Sequence, residues 1–332
     1  MLVATKIMIK PRITVCIPTK NREKSIGRML NTLVNQSFKN FEVIIVDGGS
    51  TDKTIKIAKS FKKKIKVRIV YKKGGLIPQM NKGLMVARGK IFVRTDDDVL
   101  TTRSWLKTIN DVFDRDKKVG GLTGPTVIPK KYAKSRDLFY FQNKLKNGGL
   151  LWKIIGQIYY GYFMEGKPMR VAHWFKSGAF SLGSNFPRAR KVKYKEVTNL
   201  EACNWAVRTK LLKKVGGFDT TYTGIGEYHE PDASLKIRAL GYKLMFHPKA
   251  EVNHCPSTEG FFNDRPLSYP RMINFIIFYR RHIKVDSLDK LVRFSLYLLF
   301  QNLYYTYQAI SKGQIELLGS YLGTVVGLLK RV

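Results

Sequence analysis

The chain has 332 residues, 60 of them Lys or Arg and 24 Asp or Glu, which gives a formal net charge of +36 alongside 44% hydrophobic and 12% aromatic residues. That apolar content excludes global disorder. Three cysteines without a CxxC pair exclude a disulfide scaffold or zinc ribbon and suit a reducing compartment. The basic excess is concentrated in residues 1–90, with 21 basic against 4 acidic side chains, and in 127–195, with 15 against 2. A field of that sign attracts phosphates, nucleic acid or an anionic membrane face. The leader MLVATKIMIKPR lacks the apolar stretch of a secretory signal, so the N-terminus is expected to stay in the cytoplasm.

Residues 12–128 alternate short β-branched runs with amphipathic stretches. Strands are predicted at 13–17, stopped by Pro18, and at 41–46, 66–71 and 91–94, with helices at about 24–35, 51–62, 76–88 and 103–114. Near-continuous apolar strands alternating with helices indicate an α/β fold whose mostly parallel sheet is covered on both faces. Ligands of such sheets bind beyond the carboxyl ends of the strands. Residues 130–200 break the rhythm. They are basic and aromatic, with an apolar run at 148–163 broken only by Lys153 and Gln157, and read as an insertion over the site. Residues 201–255 return to α/β texture, with a helix at about 231–240 and strands near 243–246 and 250–253.

The tail differs again. Eighteen uncharged residues lie between Arg293 and Lys312, interrupted by Gln301, Asn302 and Gln308. On a helical wheel Arg293, Gln301, Gln308 and Lys312 share one sector, the pattern of a helix lying in a membrane interface rather than spanning it. The alternative is a helical hairpin packed on the rest of the chain.

Three acidic groups fall where strands or helices meet loops. Asp47-Gly48-Gly49-Ser50-Thr51-Asp52 follows a buried strand, and its glycines let the chain turn close to a ligand. Asp47 is placed to accept hydrogen bonds from a nucleobase or ribose, and Asp52 suits a helix N-terminus. In Asp96-Asp97-Asp98 three adjacent carboxylates cannot all ionise cheaply without a cation. Mg²⁺ or Mn²⁺ would supply it, and alternation puts Asp96 and Asp98 on one side and Asp97 on the other. Glu230-Pro231-Asp232 opens a helix, where acids suit the dipole, and Glu230 is expected to point into the site mouth as a general base.

The ordered set Pro18-Thr19-Lys20-Asn21-Arg22, Asp47–Asp52, Asp96–Asp98, Gly216-Gly217-Phe218-Asp219 and Glu230-Pro231-Asp232 with Arg238 and Gly241-Tyr242 resembles the family 2 glycosyltransferases. The resemblance implies a GT-A fold, Rossmann-like, over residues 1–265, with 130–200 as an acceptor-side insertion and 266–332 as a helical, membrane-associating extension. It implies inverting sugar transfer from a UDP- or GDP-sugar. Pro18, Thr19 and Arg22 would line the nucleotide pocket and Asp47 would contact the base. Asp96 and Asp97 fall with the nucleotide-sugar, Asp96 near the ribose or sugar. Asp98 would bind the metal that bridges the diphosphate, and His254 resembles the histidine that approaches the diphosphate or metal. Glu230 would be the base, with Asp232 its rival, because many members have Glu-Asp where this chain has His229-Glu230.

The basic charge, aromatic insertion and apolar tail together suggest a membrane-presented, polyprenyl-linked glycan acceptor on the cytoplasmic face, approached by a peripheral or monotopic protein on an anionic membrane. A polyprenyl-phosphate sugar synthase is the alternative within the same class. A nucleic-acid-binding protein would need a reader such as an RNP motif or helix-turn-helix. None is visible, and a carboxylate cluster repels a phosphate backbone, so nucleic acid is not an expected partner.

Overall fold

The apolar runs at 13–17, 41–46 and 91–94 bury along their whole length because each becomes an inner strand, whereas the run at 66–71 becomes an edge strand and is only partly buried. The computed structural model describes residues 10–133, 137–256 and 268–331. Its first half follows the predicted alternation: β1 (Ile13–Thr19), α1 (Ile26–Val34), β2 (Phe41–Asp47), α2 (Thr54–Ser60), β3 (Val67–Tyr71), α3 (Leu76–Val86) and β4 (Ile91–Arg94). Then come β5 (Val99–Thr101), α4 (Trp105–Arg115), β6 (Val119–Thr123) and β7 (Thr126–Val127). The insertion is helical, with α5 (Lys130–Ala133), α6 (Asp137–Asn147), α7 (Gly149–Gln157) and a π-helical turn at Ile158–Phe163. The α/β texture resumes with β8 (Lys195–Glu196), β9 (Trp205–Arg208), α8 (Thr209–Lys214), α9 (His229–Ala239), β10 (Lys243–Phe246) and β11 (Val252–His254). Among the described residues three α-helices close the chain: α10 (Ser268–Phe278), α11 (Leu288–Lys312) and α12 (Gly319–Leu329). The expected boundary at 265/266 lies outside the described residues.

The main sheet runs β3-β2-β1-β4-β9-β6-β10-β8. Strands β3, β2, β1 and β4 are mutually parallel, β9 is antiparallel to both β4 and β6, and β10 is parallel to β6. The carboxyl ends of β1, β2, β4 and β6 therefore share one edge with the start of β9. Alternation divides the core into two layers. Ile13, Val15 and Ile17 pack with Ile26, Met29, Leu30 and Leu33 of α1, whereas Cys16, Ile44, Val46 and Phe92 pack with Met80 and Leu84 of α3.

Pro18 does not stop β1, which continues to Thr19 with Pro18 opposite Val46 of β2. Thr95 N–H donates to Cys16 O, so even-numbered β1 residues turn their backbone polar groups towards β4. The ladder with β4 ends at Cys16. The N–H that proline lacks would have met no strand.

The C-terminal helices pack on the rest of the chain. Ile273, Ile277 and Phe278 of α10 join the core layer of Phe92 and Trp205, and Phe294, Tyr297 and Leu298 of α11 pack with Phe163 and Phe175. Gln308 and Asn302 of α11 are buried, while Leu291, Leu299 and Leu303 are exposed. This reverses the wheel expectation for Gln308. The rings of α11 are drawn inward against the insertion, with Trp152 5.1 Å from Tyr307 and Tyr159 5.3 Å from Phe300, and this turns the leucines outward. Among the described residues no helix is long and apolar enough to cross a membrane.

Helix α12 approaches α10 so closely that a Cβ on Gly323 would collide with the Tyr269 backbone. Gly323→Val is expected to lower unfolding stability by about 1–3 kcal/mol through overpacking. Gly161→Ala, which meets no atom within 4 Å, is expected to be near neutral. Equal denaturant midpoints for the two variants would contradict this packing.

Candidate active site

The first two motifs are stitched together at the carboxyl edge. Thr19 and Asp47 are register partners on β1 and β2. Beyond them the Asn21 side chain accepts from Thr51 N–H at 2.8 Å, and Ser50 Oγ accepts from Asn21 N–H at 3.0 Å. Asp47 accepts from the Ser50 hydroxyl at 2.6 Å, so its carboxylate is already oriented by its own turn. Gly49 has φ +95°, so this turn requires a glycine there, and a Cβ on Gly48 would displace the amide end of Gln79. Asp52 accepts from Thr54 N–H at 2.9 Å at the start of α2, beside the positive helix end where an acid was expected.

The three aspartates divide as alternation predicts. Asp97 points back into the fold, where it accepts from Thr19 Oγ1 at 2.7 Å and lies 3.4 Å from Arg22 Nε. Burial pushes its carboxyl up to about 7 against the opposing pull of Arg22. Thr19, Arg22 and Asp97 thus form a buried brace, with Pro18 one residue behind. Asp96 and Asp98 face the other way, with His254.

That histidine arrives through a second, three-stranded sheet, β5-β11-β7. Antiparallel pairing of β11 with β5 sets His254 opposite Val99, next to Asp98, and Cys255 N–H donates to Asp98 O at 3.0 Å. His254 Nε2 lies 3.4 Å from Asp98 Oδ1. Burial alone would lower the imidazole pKa, but Cys203 and Asp98 carry it up to about 10. One ligand atom each from Asp96, Asp98 and His254 lie within 4.8 Å of one another. Two carboxylates and an imidazole on converging backbones can hold a divalent cation, whose remaining positions water and phosphate oxygens would fill.

Arg94, at the end of β4, ties this group to the third motif. Its guanidinium lies 2.8 Å from Asp96 Oδ1 and 3.3 Å from Glu230 Oε1, and it donates to Ala202 O at 2.8 Å. Burial by itself would lower the Arg94 pKa, but Asp96 and Glu230 raise it overall. Glu230 enters from the first turn of α9, with Oε2 3.1 Å from His229 Nδ1. His229 is fully enclosed against Phe218, and burial holds it neutral. Tyr228, just before it, has φ +76°, uncommon for a bulky residue. Its ring stacks 5.3 Å from Phe278 of α10, so a C-terminal helix helps to set where Glu230 begins.

Asp232 is in a different environment. It is 0% exposed, and its partners are Lys236 at 2.6 Å, His282 at 2.8 Å and Tyr222 Oη at 3.0 Å. Burial would raise its pKa, but hydrogen bonds from His282 and Lys236 hold it below the ordinary carboxylate range. The structure therefore brings together Asp96, Asp98, His254 and Glu230, and uses Asp232 to clamp α9 to the C-terminal region.

Sequence reasoning passed over Arg94 and Asn204. Arg94 offered a signal, a cation ending a buried strand beside three carboxylates. Asn204 offered none. It accepts from Trp105 Nε1 at 2.9 Å and donates to Ala250 O at 2.7 Å, pinning β9 beside α4 and the approach to β11. Arg94→Ala is expected to cost about 3–5 kcal/mol of stability, because it strands buried carboxylates without their cation. Arg94→Lys should recover only part of this, since one ammonium cannot span three partners. A chemical-denaturation loss under about 1 kcal/mol for Arg94→Ala would remove the bridge from this account.

Residues 14–151 match glycosyl transferase family 2. An uncharacterized glycosyltransferase of Haemophilus influenzae is 30% identical over 112 residues, 33% of this chain and 35% of the relative. The Methanococcus voltae dolichyl N-acetyl-alpha-D-glucosaminyl phosphate 3-beta-D-2,3-diacetamido-2,3-dideoxy-beta-D-glucuronosyltransferase is 33% identical over 154 residues, 42% of this chain and 47% of that one. The matched stretch thus spans less than half of either relative. Among solved structures, Staphylococcus aureus TarS 1-349 in complex with UDP-GlcNAc has TM-score 0.57 at 18% identity, covering 96% of this chain and 79% of TarS. The mannosyltransferase PcManGT from Pyrobaculum calidifontis, in complex with GDP-Man and Mn2+, has TM-score 0.55 at 17% identity, covering 96% and 88%. These likenesses carry the fold. The fold is thus GT-A, and over residues 14–151, with its motifs in order along the carboxyl edge of the sheet, the chain is similar to glycosyl transferase family 2.

Proposed function

We propose that this protein is an inverting, metal-dependent glycosyltransferase that moves a sugar from a UDP- or GDP-sugar to a membrane-presented, polyprenyl-linked glycan. The observation that carries the reading is the convergence of Asp96, Asp98 and His254 within 4.8 Å, bridged through Arg94 to Glu230. Mg²⁺ or Mn²⁺ at that group would offset charge on the departing diphosphate. The imidazole in the donor set favours Mn²⁺. Pro18, Thr19, Arg22 and Asp47 frame the nucleotide side, with Asp97 bracing Thr19 and Arg22 from behind. Arg94 holds Asp96 and Glu230 in fixed relation, and Glu230 takes the proton from the acceptor hydroxyl on the face of the sugar opposite the diphosphate. The donors named with TarS and PcManGT, and the dolichyl-phosphate-linked acceptor in the name of the M. voltae enzyme, support these substrate classes.

Thermal shift against UDP- and GDP-sugars, with and without Mn²⁺, tests the donor. A metal-dependent rise that grows with the logarithm of ligand concentration is expected for one of them, and Asp98→Asn should abolish it. No rise with any activated sugar would reject the reading. Glu230→Gln should keep donor binding while lowering turnover by about 10²–10⁴-fold. Near-normal turnover would reject the base role and favour a lipid phosphate acceptor, which is ionised already.

Membrane presentation is supported by the outward leucines. Leu299 and Leu303 of α11, Leu322 and Leu329 of α12 and Leu150 and Leu151 of α7 are all exposed on a chain of net charge +36. An apolar face on so basic a protein complements an anionic bilayer, on which it would sit as a peripheral or monotopic protein of the cytoplasmic face. Because the inner face of α11 is core, the test replaces Leu299 and Leu303 by Glu rather than truncating the tail. Wild-type protein should float with phosphatidylglycerol vesicles and lose flotation as salt rises. Equal flotation of the double variant would exclude this face as the anchor.

A further inference from the structure

The segment leading into β9 crosses the carboxyl edge of the sheet between β4 and β6, and two of its residues meet part of the site. Ala202 O accepts from Arg94 Nη1 at 2.8 Å, and Cys203 contacts His254. Glu201, one residue earlier, donates its backbone N–H to Thr123 Oγ1 at the end of β6 at 3.1 Å. Its side chain is not accounted for by the fold. It is 8% exposed, and Ser184 donates to the carboxylate, yet among the described residues Oε1 has no hydrogen-bond partner. Burial pushes this carboxyl up to about 7. Two residues before it, Asn199 buries a side-chain oxygen that also lacks a partner among the described residues.

Buried acceptors left unpaired are costly, and in native proteins they mark a missing ligand, water or reactant. Here two lie two residues apart in the chain, just before the residues that touch Arg94 and His254. A donor sugar is joined directly to the diphosphate that the Asp96, Asp98 and His254 group would face. Its ring would therefore lie on the side of the site that this stretch borders through Ala202 and Cys203. We propose that Glu201 accepts a hydrogen bond from a hydroxyl or amide N–H of the donor sugar and so helps to select which nucleotide-sugar is used, with Asn199 Oδ1 as a second acceptor. This rests on the donor-binding reading above and deepens it. A site that hydrogen-bonds a sugar polar group discriminates strongly against a donor that lacks it, because the buried acceptor is then left unpaired again.

Isothermal titration with Mn²⁺ tests the proposal, using UDP, GDP, UDP-glucose, UDP-GlcNAc and GDP-mannose as probes. Wild-type protein is expected to bind one nucleotide-sugar about tenfold more tightly than the matching nucleoside diphosphate. Glu201→Ala should remove that increment and leave nucleoside diphosphate affinity within about twofold, which also reports an intact fold. Glu201→Gln keeps the shape and an acceptor oxygen and should retain part of the increment. An increment unchanged in Glu201→Ala, or one lost together with nucleoside diphosphate affinity, would overturn the assignment. The same holds if wild-type protein binds nucleotide and nucleotide-sugar equally. Wild-type protein that binds no nucleotide at all would instead remove the donor reading, and this proposal with it.

Discussion

The site depends on one buried guanidinium. Arg94 ends β4 at the carboxyl edge and meets Asp96, Glu230 and the carbonyl of Ala202, groups drawn from three separate parts of the chain. Asp96, Asp98 and Glu230 would repel one another if ionised without compensation. A lysine could neutralise one of them, but the planar fork of arginine serves all its partners at once and fixes their spacing. Because the side chain is almost completely enclosed, water does little to screen these contacts. The candidate metal ligands and the candidate base therefore occupy one electrostatic unit.

Around that unit the fold divides the acidic residues by purpose. Asp96 and Asp98 turn towards His254, while Asp97 turns inward to Thr19 and Arg22. Asp52 accepts from the first backbone N–H of α2, and Asp232 closes a clamp with Lys236, Arg281 and His282. The same side-chain chemistry thus serves ligand holding, internal bracing, bonding of a helix start and helix docking, and the neighbours of each carboxylate decide which.

The C-terminal helices belong to this arrangement. Phe278 stacks on Tyr228, which introduces α9, and Arg281 bridges Asp219 and Asp232 on either side of that helix start. Helix α11 turns its rings into the core with the insertion and leaves a leucine stripe outside. One element thus both completes the core and offers an apolar face.

Much was legible in the sequence because it rests on local rules. Strand and helix order through residue 115 followed from apolar periodicity except for β5, which the periodicity did not show, and the opposed directions of Asp96 and Asp97 agree with the expected alternation although residues 97 and 98 form a turn. Pro18 misled because a proline ends a strand only where its absent N–H would have met a neighbour, and the length of β4 decides that. Only the tertiary structure could seat His254 beside Asp98, since that pairing depends on the register of β11 against β5, two strands far apart in the chain. Only it could show that Arg94 reaches Glu230, that Asp232 faces the C-terminal region, and which side of α11 is buried. Periodicity reports what a residue's own backbone does. Contacts between distant segments are set by how whole elements pack, and no local pattern encodes them.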